Sequence, residues 1–219
     1  MPSDYQKIFD FLAYSYRGNW IYRWKLVPFI DQLSNSKQGE SILAHQQSCI
    51  MMWSLLKTVT PNLTSSVNSE LVYDLLLFHD LGEVASEDMP LVKQLQEGSS
   101  QKKEMESLEI DKITNDLPET TKKFIRQCFF DYSYAAADGA SIEVLLARYI
   151  NSIQGNHFAM VYGFDFAKHA DLIMKIVNRY FMPVAEELVG ELAIRNKLAA
   201  NEVEALTSYH LRAIEEVIK

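Results

Sequence analysis

The chain has 219 residues, of which 48% are apolar and 23% are charged, and its formal net charge is −8. These values are typical of a soluble globular protein, and we predict a single domain over residues 1–219. The negative charge argues against polymeric nucleic acid or a membrane as a partner. It does not exclude a small anionic substrate, because a bound metal ion and one arginine can reverse the local field.

Cysteine usage and the N-terminal composition favour a cytoplasmic protein. Cys49 and Cys128 lie far apart on helix-like segments, and we interpret them as reduced core residues rather than as a disulfide. The N-terminus interleaves Asp4, Lys7 and Asp10 with its aromatic residues, so it lacks the apolar core of a signal peptide. The apolar runs are all shorter than a membrane-spanning helix requires.

Helical periodicity dominates the chain, and strand-like alternation is scarce. Residues 93–115 are polar and charged, Gly155-Asn156 is a typical C-terminal helix stop, and Asn201 with Glu204 resembles a capping box. We predict an all-α orthogonal helical bundle. In chain order, the predicted helices cover residues 4–17, 40–60, 70–80, 118–130, 138–154, 158–180, 183–198 and 201–218.

Three of these helices carry polar residues on their apolar stripes: His45 on one, His79 and Asp80 at the inner end of the next, and Asp138 one turn before Ile142 on a third. A buried carboxylate is normally paired, hydrogen-bonded or metal-bound, because burial of its charge is costly. Two imidazoles and two carboxylates in one place would suit Mn, Fe, Co, Ni or Zn. Taken singly, each histidine is more often a hydrogen-bonded core residue, and Asp138 is well placed to be a helix N-cap.

The order of a lone His, a His-Asp pair and a distant Ala-Asp on helical segments resembles the HD-domain phosphohydrolase superfamily. The resemblance implies an HD-type helical fold with one divalent metal ion held by four residues. On this sequence those ligands are His45, His79, Asp80 and Asp138. The chain is most similar to the bacterial 5′-deoxyribonucleotidases, which remove phosphate from deoxynucleoside monophosphates.

Short motifs carry that similarity over about residues 20–160, whereas the C-terminal helices match no motif. The most specific is the run His79–Pro90, which fits His-Asp-x-x-Glu-Val-x-x-x-Asp-x-Pro without a gap. Arg23-Trp24 fits an Arg-Trp pair before the first ligand, and Glu40 fits an acidic residue five positions before it.

Departures and other branches of the superfamily leave the substrate open. Ala44 stands where the 5′-deoxyribonucleotidases have Glu, and Gln46 stands where they have a small hydroxyl residue. Triphosphohydrolases typically have His, and cyclic-di-GMP phosphodiesterases Lys, where this chain has Glu83. Hydrolases of (p)ppGpp carry Glu-Asp directly after the dyad, whereas Glu87-Asp88 comes later here.

The resemblance also implies roles for individual residues. Glu83 would move protons around the attacking water, Arg23 would grip the phosphate, Trp24 would stack on the base or sugar, and Asp88 would bind the sugar 3′-hydroxyl. Without the resemblance, Glu83 would be interpreted as an exposed glutamate near a helix C-terminus, and Trp24 as a core residue. The expected partner is a nucleotide, and the expected assembly is a homodimer. The alternatives are an HD phosphohydrolase for another nucleotide, such as a deoxynucleoside triphosphate, and a non-enzymatic metal-binding protein.

Overall fold

The computed structural model describes residues 3–30, 39–86, 100–134 and 139–219. Their regular secondary structure is helical, apart from one isolated antiparallel bridge between Tyr22 and Ser41, which confirms the predicted all-α class. The α-helices are α1 (Asp4–Ser15), α2 (Ile42–Leu56), α3 (Pro61–Ser65), α4 (Ser69–Phe78), α5 (Glu83–Ser86), α6 (Ser100–Ile113), α7 (Glu119–Tyr134), α8 (Ile142–Tyr162), α9 (Ala170–Ile176), α10 (Met182–Arg195) and α11 (Lys197–Val217).

One compact unit of the chain comprises Met1–Val27, Asp31–Gln47 and Leu77–Tyr134. In it, the short helix α5 packs on α6, and α6 packs on α7. Aromatic and aliphatic side chains from the α5 and α7 regions meet α6 in one core cluster. Its buried members are Leu81, Val84, Ile110, Leu117, Ile125 and Phe129.

A second compact unit comprises Pro28–Ile30, Ser48–Leu76 and Ala135–Lys219. In it, α10 packs against α8 and α11, and α11 also contacts α3. The Tyr149 hydroxyl lies 2.8 Å from Thr207 Oγ1, which gives this buried phenol a hydrogen-bond partner. The predicted single domain over residues 1–219 stays a prediction.

The predicted helix end at residues 155–156 is wrong. α8 continues through them because Ile153 and Ala159 on either side are buried, and their burial outweighs the roughly 1 kcal/mol that a helical glycine costs. The helix ends at Gly163 instead, whose amide donates to the Ala159 carbonyl. A Cβ at Gly163 would lie 2.5 Å from that carbonyl oxygen, so the close approach requires glycine.

The predicted helix over residues 158–180 is divided. After α8, a 3-10 turn (Phe166–His169) leads into α9, and a π-helical turn (Val177–Phe181) joins α9 to α10. The Phe164 amide donates to the Phe29 carbonyl, so the break in the helix supplies a backbone contact to a distant segment. The periodicity of the sequence gave no sign of this interruption.

The predicted capping box of Asn201 with Glu204 is also wrong. α11 begins before these residues, and its N-cap is Asn196, whose side-chain oxygen accepts from the amides of Leu198 and Ala199. The helix therefore starts early enough to bury its first alanines against the second unit's core. None of the described helices is long and apolar enough to span a membrane.

Candidate metal centre

The first candidate ligand, His45, lies in the first turns of α2 and is fully buried. Ser41 begins this helix as its N-cap: its hydroxyl accepts from the Ala44 amide and its carbonyl from the His45 amide. Ile42 and Cys49 on the same stripe are also fully buried, as the periodicity predicted. The stripe therefore delivers His45 into the protein interior.

The second and third candidate ligands follow α4 directly. His79 and Asp80 lie in a turn beyond the end of the helix at Phe78, so their predicted place on the last helical turn needs this correction. The turn is closed by amides of Leu81 and Glu83, which donate to the Phe78 and Asp80 carbonyls respectively. Both ligand side chains are buried all the same.

Three donor atoms of these residues converge on one point. Nε2 of His45 lies 3.2 Å from Nε2 of His79. Oδ2 of Asp80 lies 3.5 Å from the first of these nitrogens and 3.2 Å from the second. Donors about 2.1 Å from a shared ion are about 3.0 Å apart in an octahedron and about 3.4 Å apart in a tetrahedron. The three separations therefore match those of atoms that coordinate one metal ion.

The chemistry of the donor set fits a divalent transition metal. Oδ2 of Asp80 is buried without a hydrogen bond of acceptable geometry, which is costly unless a cation is its intended partner. Two imidazoles and one carboxylate suit Zn, Fe, Co, Ni or Mn, and they leave positions for further ligands. This set does not select among those metals. The predicted fourth ligand, Asp138, lies outside the described residues.

Local electrostatics hold two of the donors in the form that binds metal. Burial lowers the pKa of His45, and the Arg23 guanidinium lowers it further, against the opposing effect of Glu40. For Asp80, burial raises the pKa, but the neighbouring His79 and His45 rings and Arg23 together bring it well below its usual value. A neutral imidazole and an ionised carboxylate are the forms that coordinate metals.

Glu40 joins the candidate metal site to the predicted phosphate-binding residue. Its buried carboxylate accepts from Arg23 at 3.1 Å and from the Trp24 indole at 3.0 Å, both through Oε2. Oε1 lies 3.8 Å from Nδ1 of His45, the ring nitrogen that faces away from the other donors. A carboxylate behind a metal-binding histidine orients the ring and raises its basicity. The sequence singled out Glu40 only as part of a motif and assigned it no role.

The backbone around Trp24 is held in an unusual conformation. Trp24 has φ 68°, a left-handed value that a bulky residue seldom adopts. The segment before it is fixed by the bridge to Ser41, in which the Arg23 amide donates to the Glu40 carbonyl at 2.9 Å. Such strain persists only where the surroundings enforce it, and it is concentrated at functional sites. The half-buried ring also lies 5.5 Å from the Arg23 guanidinium.

Glu83 is buried beside the turn that carries the two ligands. As the first residue of α5, it has a side chain only 3% exposed, which excludes the surface helix-end alternative. Oε1 accepts from Nζ of Lys102 on α6 at 2.5 Å, and Oε2 has no hydrogen-bond partner within the described residues. A carboxylate with one oxygen anchored and the other unengaged is suited to exchange a proton.

Two further features of this region involve Tyr132 and Lys102. The Tyr132 ring lies 4.9 Å from the His79 ring and helps to fix its plane. Lys102 also pairs with Glu106 on its own helix, and Glu106 is buried. A Lys and a Glu four residues apart are common on exposed helices, so their spacing gave no signal.

The predicted sugar-binding residue, Asp88, lies outside the described residues.

Comparison with known families agrees with this geometry. The family model described as HD domain matches residues 31–187, and the chain belongs to that family. HD domains are generally metal-dependent hydrolases, and the matched range contains all three converging donors and Glu83. No match was found among the curated proteins searched. The family is therefore established, whereas the substrate is not.

Proposed function

We propose that this protein is a metal-dependent phosphomonoesterase that removes phosphate from deoxynucleoside 5′-monophosphates. The observation that carries the proposal is the convergence of His45, His79 and Asp80 on one point with the buried Glu83 three residues beyond Asp80. Membership of the HD family supports the hydrolytic chemistry. The monophosphate substrate rests on the resemblance of the run His79–Pro90 to the 5′-deoxyribonucleotidases.

The chain's own residues divide the reaction between binding and proton transfer. A divalent ion on the three donors would supply Lewis acidity toward the phosphate and the attacking water. Glu83 takes a proton from that water through its unengaged Oε2 and returns it to the sugar oxygen as the phosphate leaves. Protons balance, because one leaves the water and one reaches the departing alcohol.

Substrate binding is assigned to the segment that Glu40 holds. Arg23 offers a planar fork of donors for the phosphate, and its 18% exposed side chain remains within reach of solvent. Trp24 offers an aromatic face on which any base can stack. By the family resemblance, Asp88 binds the sugar 3′-hydroxyl and Asp138 completes the metal site.

A panel of nucleotides tests the proposal directly. Metal-free protein is reloaded with Mn, Co, Ni, Fe or Zn and incubated with dAMP, dGMP, dCMP, TMP, AMP and dATP, and released phosphate and pyrophosphate are both measured. We expect phosphate from the deoxynucleoside monophosphates, little discrimination among bases, and weaker activity on AMP. A hydrogen-bonded hydroxyl discriminates sharply because its absence leaves a buried group unpaired, whereas stacking does not.

The other possible results identify the alternatives. Release of pyrophosphate or triphosphate from dATP, without phosphate from dAMP, would assign the protein to a different HD phosphohydrolase class. Metal binding without release of any phosphate from the panel would favour a non-enzymatic metal-binding role. His45→Ala, which removes a donor, serves as the inactive control in every assay.

A further inference from the structure

Beside the candidate metal centre lies a buried ion-pair cluster in which Glu83 meets two residues, Lys102 and Glu106, to which the proposed reaction gives no role. Nζ of Lys102 lies 2.5 Å from Oε1 of Glu83 and 3.0 Å from Oε1 of Glu106. Both carboxylate side chains are nearly inaccessible, with 3% and 7% of their surface exposed, and the lysine side chain is 19% exposed. One ammonium group therefore serves two carboxylates that are shielded from water.

The charges of this cluster do not balance if both carboxylates are ionised. Two negative charges and one positive charge would then leave one excess negative charge in a poorly hydrated place, which favours a proton on one carboxylate. Burial raises the pKa of Glu106 to about 8; Lys102 opposes that rise, and Glu83 and Asp80 add to it. We therefore expect Glu106 to carry a proton at neutral pH.

Charged groups on the other packed elements are engaged elsewhere. On the 3-10 turn Tyr16–Trp20, the Arg17 guanidinium lies over the Tyr14 ring at 5.0 Å. On α7, Arg126 pairs with Asp111 at 2.6 Å. Among the described groups that shift the pKa of Glu106, the positively charged one is therefore Lys102.

Close backbone packing holds the cluster together. A Cβ at Gly82 would lie 2.7 Å from Cβ of Glu106 and 3.0 Å from its carbonyl oxygen, so only glycine permits this approach of α6 to the ligand-bearing turn. The distance from Glu83 to its lysine is thus set by backbone contact between two elements. A side chain placed in this way is more precisely held than one on a mobile loop.

We propose that Lys102 and Glu106 are positioning residues for Glu83. Lys102 anchors one oxygen of Glu83, and Glu106, when it carries a proton, does not compete for the ammonium group. The role in catalysis rests on the proposed function. Oε2 of Glu83 then remains directed to proton exchange while Oε1 is fixed. When Glu106 ionises, it competes for the same ammonium group, and Glu83 is held less well.

Three substitutions test this arrangement through kinetics. Glu106→Gln mimics the protonated acid permanently, so we expect metal content to stay close to wild type and the pH profile of kcat to change. The wild-type decline of kcat at alkaline pH should be weakened in this variant. Lys102→Met should lower kcat by on the order of tenfold or more with little change in KM, because it loosens a proton-transferring group. Lys102→Arg should restore part of the loss.

Helix α6 supplies a matched control pair. Lys112 and Glu109 form a similar ion pair at 2.6 Å, but the lysine side chain is 68% exposed. Lys112→Met and Glu109→Gln should leave kcat and its pH profile unchanged. If Lys102→Met does not fold, Lys102→Arg and Glu106→Gln decide the matter, since the first preserves the positive charge and the second preserves size and hydrogen bonding.

Infrared spectroscopy tests the proton on Glu106 without any substrate. Metal-free and metal-loaded protein are titrated with acid and base. We expect a protonated-carboxyl band at neutral pH that disappears in Glu106→Gln. In the metal-loaded protein, the bound cation should shift the titration of this band to lower pH. If the band is present but the protein hydrolyses no nucleotide, the protonated state of Glu106 beside Lys102 would be supported and the proposed function contradicted. A neutral-pH band unaltered by Glu106→Gln, or a kcat–pH profile that this substitution leaves unchanged, would overturn the inference.

Discussion

At the scale of single residues, two buried carboxylates near the candidate metal centre do different work. Glu40 stands behind His45 and also holds Arg23 and Trp24, so it connects the candidate metal site to the proposed substrate-binding residues. Glu83, in contrast, is anchored by Lys102. Substitutions at the two positions should therefore affect different measured quantities.

The first prediction concerns Glu83→Gln. The amide preserves size but cannot take up a proton, so we expect normal metal content and a loss of kcat of about 10²–10⁴-fold. Metal analysis of the purified variant and steady-state kinetics on dAMP check both expectations. Full kcat in this variant would show that Glu83 is not the proton-transferring group.

The second prediction concerns Glu40→Gln. Loss of the charge behind His45 should weaken metal affinity by roughly 10–100-fold, because the ring is no longer oriented and polarised by a carboxylate. Titration of metal-free protein with Co²⁺ measures the change, and Glu83→Gln serves as the control that retains wild-type affinity. An unchanged dissociation constant would mean that the 3.8 Å contact with His45 has no part in metal binding.

At the scale of elements, a residue of one helix can cap another helix whose own N-cap residue makes no side-chain hydrogen bond. The short helix α3 begins after Thr60, whose side chain makes no capping bond. Glu202 on α11 supplies the cap from a distance: its carboxylate accepts from the amides of Asn62 and Leu63 at 3.2 and 2.8 Å. A negative charge at this end also complements the helix dipole.

The third prediction is that Glu202→Ala destabilises the protein by about 1–2 kcal/mol, because it leaves two helix-end amides without their acceptor. Glu204→Ala is the matched control, since Glu204 is exposed on the same helix and should cost less than about 0.5 kcal/mol. Urea unfolding of the two variants measures the difference. Equal losses of stability would contradict the capping role.

The fourth prediction concerns His210 on α11, which packs edge-on against the Phe181 ring and lies 3.3 Å from Nδ2 of Asn156. Burial, with a smaller contribution from His157, lowers the pKa of His210 from 6.5 to about 4. The unfolded chain then binds a proton at higher pH than the folded protein does. Stability should therefore fall as the pH decreases from 6.5 to about 4, by up to about 3 kcal/mol.

Carboxyl groups also titrate in this range, so the test compares two proteins. The free energy of unfolding is measured by urea at several pH values for wild type and for His210→Gln, which does not titrate. The difference between the two curves should shrink or reverse toward acid pH. Parallel curves would show that His210 does not contribute to the acid sensitivity of folding.

At the scale of the whole molecule, a metal ion bound to His45, His79 and Asp80 should stabilise the fold, because these ligands are brought together only in the native state. The two histidines are 34 residues apart in the sequence. The proposed homodimer is a separate matter, which sedimentation at several protein concentrations would address.

The fifth prediction is that removal of the metal with a chelator lowers Tm by roughly 5–10 °C, which corresponds to loss of about 2.7 kcal/mol at a metal concentration 100 times Kd. Differential scanning calorimetry before and after chelation measures the shift. His45→Ala should show the low Tm with or without the chelator. A wild-type Tm that does not respond to the chelator would argue against stabilisation of the fold by a bound metal ion.

The amino-acid sequence by itself determined the helical class, the family and the burial of His45, His79 and Asp80. Those conclusions rest on local pattern: a 3.6-residue period places His45 on an apolar stripe, His79 directly follows another such stripe, and the run from His79 to Pro90 resembles a specific motif. The family match over residues 31–187 agrees with the superfamily that the motif indicated.

Tertiary structure alone decided where helices end and which polar groups meet. α8 passes through Gly155 because burial on both sides outweighs the low helix propensity of glycine, and α11 begins at Lys197 with Asn196 as its cap. The partners of Glu40 and Glu83 are remote in sequence, so no periodicity reports them. The interaction between charges depends on their distance in three dimensions, and only folding brings Lys102 and Glu106 close to Glu83.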